Sequence, residues 1–115
     1  MSVRKPSRGE VWMTNLDPTV GHEQAGTRPE LVISVDPFNH GASGLVIVVP
    51  ITSKDKKIGS HVPTEPPEGG LDLPSFIKCE DIRSVSTARL SLRRGLVGEA
   101  TLAAVEDRLK LLMGL

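Results

Sequence analysis

Nine consecutive residues, Gly21-His-Glu-Gln-Ala-Gly-Thr-Arg-Pro29, bring an imidazole, a carboxylate, an amide and a guanidinium into one short stretch. These are side chains that can handle a phosphodiester. His22 and Glu23 can move protons, Gln24 can hydrogen-bond, and Arg28 can set a planar five-donor head against two phosphate oxygens. Each also has an ordinary reading: Arg28 as a surface ion pair with Glu23, and His22 as an exposed loop histidine. Downstream, Thr52 ends an apolar run and Ser53 follows it, so two hydroxyls fall at a sheet rim, where they hold a phosphate or cap a turn. No carboxylate pair stands at metal-ligand spacing, and phosphate chemistry here would therefore be metal-free. RNA suits that chemistry because its 2′-hydroxyl is a built-in nucleophile that needs only alignment, deprotonation and charge stabilisation.

The elements that must position these groups are mostly strands. The chain has 115 residues with 14 Lys+Arg against 14 Asp+Glu, which suits one domain and removes the simplest argument for a nucleic-acid binder. Its only aromatics are Trp12, Phe38 and Phe76, so the core must be built from Val, Ile and Leu. A lone Cys79 cannot form an internal disulfide. Residues 1–8 read as a loosely held basic tail, and 9–115 as the domain. Strands are expected at Glu10–Leu16, Glu30–Val35, Leu45–Thr52, His61–Val62, Ser75–Cys79, Ile82–Val85 and Leu90–Val97. Phe38–Gly44 reads as a glycine-rich turn and Pro66–Gly70 as irregular. One helix is expected over Glu99–Met113, its apolar stripe formed by Leu102, Val105, Leu109 and Leu112. Many short strands and one helix predict a small barrel or strongly twisted sheet. The longest apolar run, Leu45–Ile51, is too short to span a bilayer, and no apolar leader is visible, so a cytoplasmic location is expected.

Charge is segregated although it sums to zero. Arg83, Arg89, Arg93 and Arg94 fall in an acid-free run, Lys54, Lys56 and Lys57 cluster after Thr52, and Glu65, Glu68, Asp72, Glu80 and Asp81 gather between them. Such segregation permits a basic groove on a neutral protein, or simply solvated loops.

Four segments, Arg8-Gly-Glu-Val-Trp12, Asp17-Pro-Thr-Val-Gly-His-Glu-Gln-Ala-Gly-Thr-Arg-Pro29, Val49-Pro-Ile-Thr-Ser53 and Cys79-Glu-Asp-Ile-Arg-Ser84, resemble the MazF/PemK/Kid toxins of type II toxin–antitoxin modules. The resemblance runs in order from about residue 8 into the last helix. It implies an SH3-like small barrel, a twisted antiparallel sheet closed by a C-terminal helix, working as a homodimer without a cofactor. It also implies a sequence-specific, metal-independent endoribonuclease acting on single-stranded RNA, chiefly mRNA, that leaves 2′,3′-cyclic phosphate and 5′-hydroxyl ends and arrests growth. A cognate antitoxin with an acidic and apolar tail would fill the RNA groove.

Residue by residue, the resemblance gives Arg28 the scissile phosphate and Thr52 a supporting hydroxyl. Glu23 and His22 take part in proton transfer, and Gln24 and Ser53 contact RNA. Lys54, Lys56 and Lys57 would hold its backbone. Where Kid-like toxins carry an Arg-x-Asp pair, this chain reads Lys78-Cys79-Glu80, which keeps the charges but loses the forked contact of arginine. Asp81 stands where many members have glutamine; an ionised carboxylate only accepts hydrogen bonds, so an altered recognition sequence is expected. A gyrase-poisoning toxin of the same fold is the competing reading. It would need neither Arg28 at a loop–strand junction nor Thr52 across from it.

Overall fold

The computed structural model describes residues 5–16 and 26–115. Seven strands lie among them: β1 (Glu10–Asn15), β2 (Thr27–Val32), β3 (Leu45–Thr52), β4 (His61–Thr64), β5 (Ser75–Lys78), β6 (Arg83–Ser86) and β7 (Leu90–Leu96). A single turn of helix, α1 (Asp36–Asn39), precedes β3, and α2 (Glu99–Met113) closes the fold. All strand pairs are antiparallel, in the order β4-β5-β3-β2-β1-β7, with β6 also pairing β3. β3 is the hub because eight nearly continuous apolar residues can be covered on both faces and along both edges. Its first half pairs with β6, its last two residues pair with β5, and its other edge pairs with β2.

The expected antiparallel sheet and C-terminal helix are present, but the sheet is not closed into a barrel: β4 and β7 are its two ends. What packs on β7 is a 3-10 turn, Glu68–Gly70, within the stretch read from sequence as irregular. An apolar cluster lies on each face of the sheet. Val105 and Leu109 of α2 pack in one cluster with Val11, Leu31, Val49, Ile51, Ile77 and Cys79. A smaller cluster of Trp12, Val32, Val46 and Val48 fills the opposite face.

Most strands shift by a residue or two from their expected bounds, and β2 shifts furthest. β2 begins at Thr27, opposite Asn15, and stops at Val32, because the Ser34 hydroxyl accepts from the Ile47 amide at 2.9 Å and ends regular pairing. Pro37 then sits in the first turn of α1, where its missing N–H costs nothing. Asn39 ties that turn down by donating to the Ser34 carbonyl at 2.8 Å. Helix α2 has the expected bounds, yet its buried stripe ends at Leu109 and Leu112 is half exposed. The described part of the basic tail is not loose. Pro6 is buried, the Arg8 amide donates to Asp36 at 2.8 Å, and the Arg8 guanidinium reaches the Ile33 carbonyl and Glu106 on α2.

Candidate active site

The strand ends of β2 and β3 meet at one edge of the sheet and place Arg28, Pro29, Ile51 and Thr52 around a cavity of about 340 Å³. Ser53, Lys54 and Lys56 from the following loop, Leu71, Asp72, Leu73 and Ser75 from the approach to β5, and Arg94 from β7 complete its wall. Four cationic side chains thus face a single carboxylate, an environment suited to an anion. Among the described residues the Arg28 guanidinium makes no hydrogen bond or ion pair, and the residue is exposed. Its backbone is firm, paired with Thr14 across β1.

The Thr52 hydroxyl accepts from the Lys54 amide at 3.2 Å. The turn-capping and phosphate-holding readings are therefore compatible: a hydroxyl that accepts from the backbone keeps its own proton to donate to an anion.

His22, Glu23 and Gln24 lie outside the described residues. Lys57 does not line the cavity and takes a positive φ of 53°, with its amide bonded to Asp55 at 3.0 Å. Lys78, Glu80 and Asp81 are also elsewhere. Lys78 pairs with Asp81 at 2.9 Å. Glu80 accepts from Ser60 at 2.6 Å and pairs with buried His61 at 2.7 Å. Burial alone would raise the Glu80 carboxyl, but the hydrogen bonds from Ser60, its own backbone and His61 hold it below the usual range.

The acid-free arginine run does not form a continuous groove. Arg83 pairs with Glu30 at 3.0 Å, Arg93 with Glu10, and Arg89 donates to the Asn15 carbonyl at 3.0 Å. Both glutamates are buried. Desolvation raises Glu30 against the opposing charge of Arg83. In Glu10 desolvation is outweighed by hydrogen bonds from Arg93, Ser7 and Trp12, which lower it. Only Arg94 of the run reaches the cavity. Sequence reasoning placed it among basic residues without assigning it to the site, because its position depends on how the Glu68–Gly70 turn seats on β7.

Fold and cavity together define a small antiparallel β protein with a cationic cleft at a strand-end rim. Residues 7–113 match the family of PemK-like, MazF-like toxins of type II toxin–antitoxin systems, and the chain belongs to it. Endoribonuclease MazF9 of Mycobacterium tuberculosis is 38% identical over 109 residues, covering 90% of this chain and 92% of that protein. The crystal structure of MazF (Form-I) from Deinococcus radiodurans superposes with a TM-score of 0.84 at 28% identity, covering 98% of this chain and 100% of its own. A mycobacterial endoribonuclease in complex with its cognate antitoxin shares the fold, with a TM-score of 0.80 at 24% identity over 96% of each chain.

Proposed function

We propose that this chain is the toxin of a type II toxin–antitoxin module and an endoribonuclease that cuts single-stranded RNA, chiefly mRNA, without a metal. The observation that carries the reading is the meeting of Arg28 and Thr52 on one cationic cavity at the sheet rim. The 2′-hydroxyl of the nucleotide before the cut loses its proton and attacks the adjacent phosphorus. The bond to the 5′-oxygen breaks, and that oxygen takes a proton, leaving a 2′,3′-cyclic phosphate and a 5′-hydroxyl. Arg28 meets the charge that builds on the non-bridging oxygens, and a donor aimed at such charge is worth about 2.7–4 kcal/mol. Thr52, oriented by the Lys54 amide, donates to the same phosphate. Glu23 and His22 transfer the protons, Gln24 and Ser53 contact the RNA, and Lys54, Lys56 and Lys57 hold its backbone. Lys78, Glu80 and Asp81, which do not line the cavity, contact the RNA beyond it and bias the bases read.

The protein works as a homodimer in the cytoplasm, and its antitoxin covers the cavity with an acidic and apolar segment, which the four cations would attract. Among the described residues no helix is long and apolar enough to cross a membrane. The test is incubation of a long end-labelled RNA with the protein in excess EDTA, beside Arg28→Ala, with the new ends mapped and typed. Cuts at one short motif with cyclic phosphate ends, absent in the variant, are expected. Intact RNA together with inhibited DNA supercoiling would replace this reading by gyrase binding.

A further inference from the structure

We propose that Arg94 is a further RNA-contacting residue of this cavity, holding a phosphate next to the one cleaved, and that Asp72 is the counter-ion this phosphate displaces. The proposal rests on the RNA reading of the site. Its starting point is how firmly the guanidinium is placed. Arg94 Nη2 donates to the Gly70 carbonyl at 2.7 Å and to Asp72 Oδ2 at 2.9 Å. The Gly70 carbonyl is itself fixed, because the turn and β7 are in backbone contact: a β-carbon on Gly95 would lie 2.6 Å from the Gly70 nitrogen. Gly69 and Gly70 both take φ +68°, a conformation that other residues rarely adopt. Glu68 anchors the same turn from its other side by accepting from the Gly98 amide at 2.7 Å, where α2 begins.

Donor arithmetic leaves room for an anion. The strong acceptors engage Nη2, whereas among the described residues Nη1 meets only the Met13 sulfur at 3.5 Å, a weak acceptor. The Arg94 side chain is 23% exposed and that of Asp72 is 86% exposed. One partner is therefore built in and the other hangs in solvent. An exposed carboxylate adds little to such a pair, while a phosphate can take charge-assisted bonds from both nitrogens of the fork. Arg28 and Arg94 come from β2 and β7, with β1 between them, and both line the same cavity. A single-stranded polyanion crossing it meets a cation on either side.

The experiment uses the whole protein and a 2′-O-methylated single-stranded RNA carrying the cleaved motif, which binds but cannot be cut. Binding is followed by anisotropy across a salt series, with cleavage of the unmodified RNA and melting temperatures measured in parallel. For Arg94→Gln the expectation is binding weakened about tenfold, a salt slope reduced by about 0.7, and KM raised with kcat within about twofold. Arg94→Lys recovers part of the binding, since it keeps the charge without the fork. Asp72→Asn removes the competitor and binds RNA about two- to fivefold tighter. If Arg94→Gln does not fold, the opposite signs expected for Arg94→Lys and Asp72→Asn decide the matter. Equal losses in RNA binding and melting temperature for the Arg94 and Asp72 variants would mean that the pair is only structural and overturn the proposal. So would wild-type RNA affinity in folded Arg94→Gln. Cleavage that is lost in Arg28→Ala but untouched in Arg94→Gln sinks this proposal alone, whereas RNA left whole by the wild type sinks the reading beneath it.

Discussion

The carbonyl oxygen of Arg94 occupies the place where a side chain on Gly70 would begin: a β-carbon there would stand 2.1 Å from it. Gly70→Ala must therefore move the Glu68–Gly70 turn off β7 as well as strain its own backbone at φ +68°. A cost of about 3 kcal/mol is expected, with a melting temperature lower by on the order of 10 °C. Gly44→Ala is the control, since it has φ +69° but nothing within 4 Å of the added carbon. Its cost should stay near 1 kcal/mol, the strain alone. Equal losses for the two variants, read by thermal melting, would show that the contact with Arg94 gives way without cost.

Cys79 is fully buried beneath α2, and burial together with the nearby Glu80 charge pushes its thiol up to about 11. At pH 8 only about one molecule in a thousand would carry the reactive thiolate, even if a reagent could reach it. Thiol labelling of the native protein should therefore wait for unfolding and keep pace with it. Cys79→Ser should keep cleavage within about twofold while losing about 1–2 kcal/mol of stability, because a hydroxyl replaces a nearly apolar group in the core. Rapid labelling of folded protein would contradict the burial, and a folded but inactive serine variant would give the thiol a role.

What the sequence shows well is periodic and local. The unbroken apolar run of β3 and the 3-4-3 spacing in α2 each depend on residues adjacent in the chain, and both elements have their expected bounds. The local sequence shows only that Arg28 and Thr52 each sit where an apolar strand meets a loop; that they would share one site came from the family resemblance, and both do line one cavity. Arg94 was not legible, because its place is set by a glycine turn about 24 residues upstream that meets it through backbone contact. Nor were the partners of the arginine run. Glu10 and Glu30 stand in the sequence only as the first residues of two expected strands, and only the pairing of β1 with β7 and of β3 with both β2 and β6 brings Arg93 and Arg83 to them. The helical turn at α1 was hidden because Asp36-Pro37 reads equally as the end of a strand.

Glu30 supplies a pH signature. Its carboxylate is fully buried, one oxygen meets Arg83 at 3.0 Å, and Oε1 finds no hydrogen-bond partner among the described residues. Desolvation outweighs the Arg83 charge and raises the group above its usual 4.5. The folded protein then holds this proton more tightly than the unfolded chain does, a contribution to stability that is complete below pH 4.5 and is lost as pH rises through the folded value. Glutamine carries no such dependence. Glu10 and Glu80, which are shifted the other way, are common to both proteins and cancel in the comparison. Melting temperatures from about pH 4 to about pH 7.5 should therefore move steadily in favour of Glu30→Gln over wild type as pH rises. Movement the other way would mean that the ion pair with Arg83 outweighs desolvation.

Arg28 offers the sharpest separation of chemistry from stability. The residue is exposed, and among the described residues its guanidinium makes no hydrogen bond or ion pair, so its removal takes little from the folded state. Arg28→Ala should melt within about 2 °C of wild type, as surface substitutions usually stay within ~0.5 kcal/mol. In cleavage it should lose at least about 2–3 kcal/mol of transition-state stabilisation, a hundredfold or more in kcat/KM. Arg28→Lys keeps the charge but cannot contact two oxygens of one phosphate, and should fall between the two. Single-turnover cleavage with enzyme in excess places the loss in the chemical step. A drop confined to RNA affinity, with the rate at saturation unchanged, would make Arg28 an anchor for the strand and move the stabilisation of the developing charge to another group.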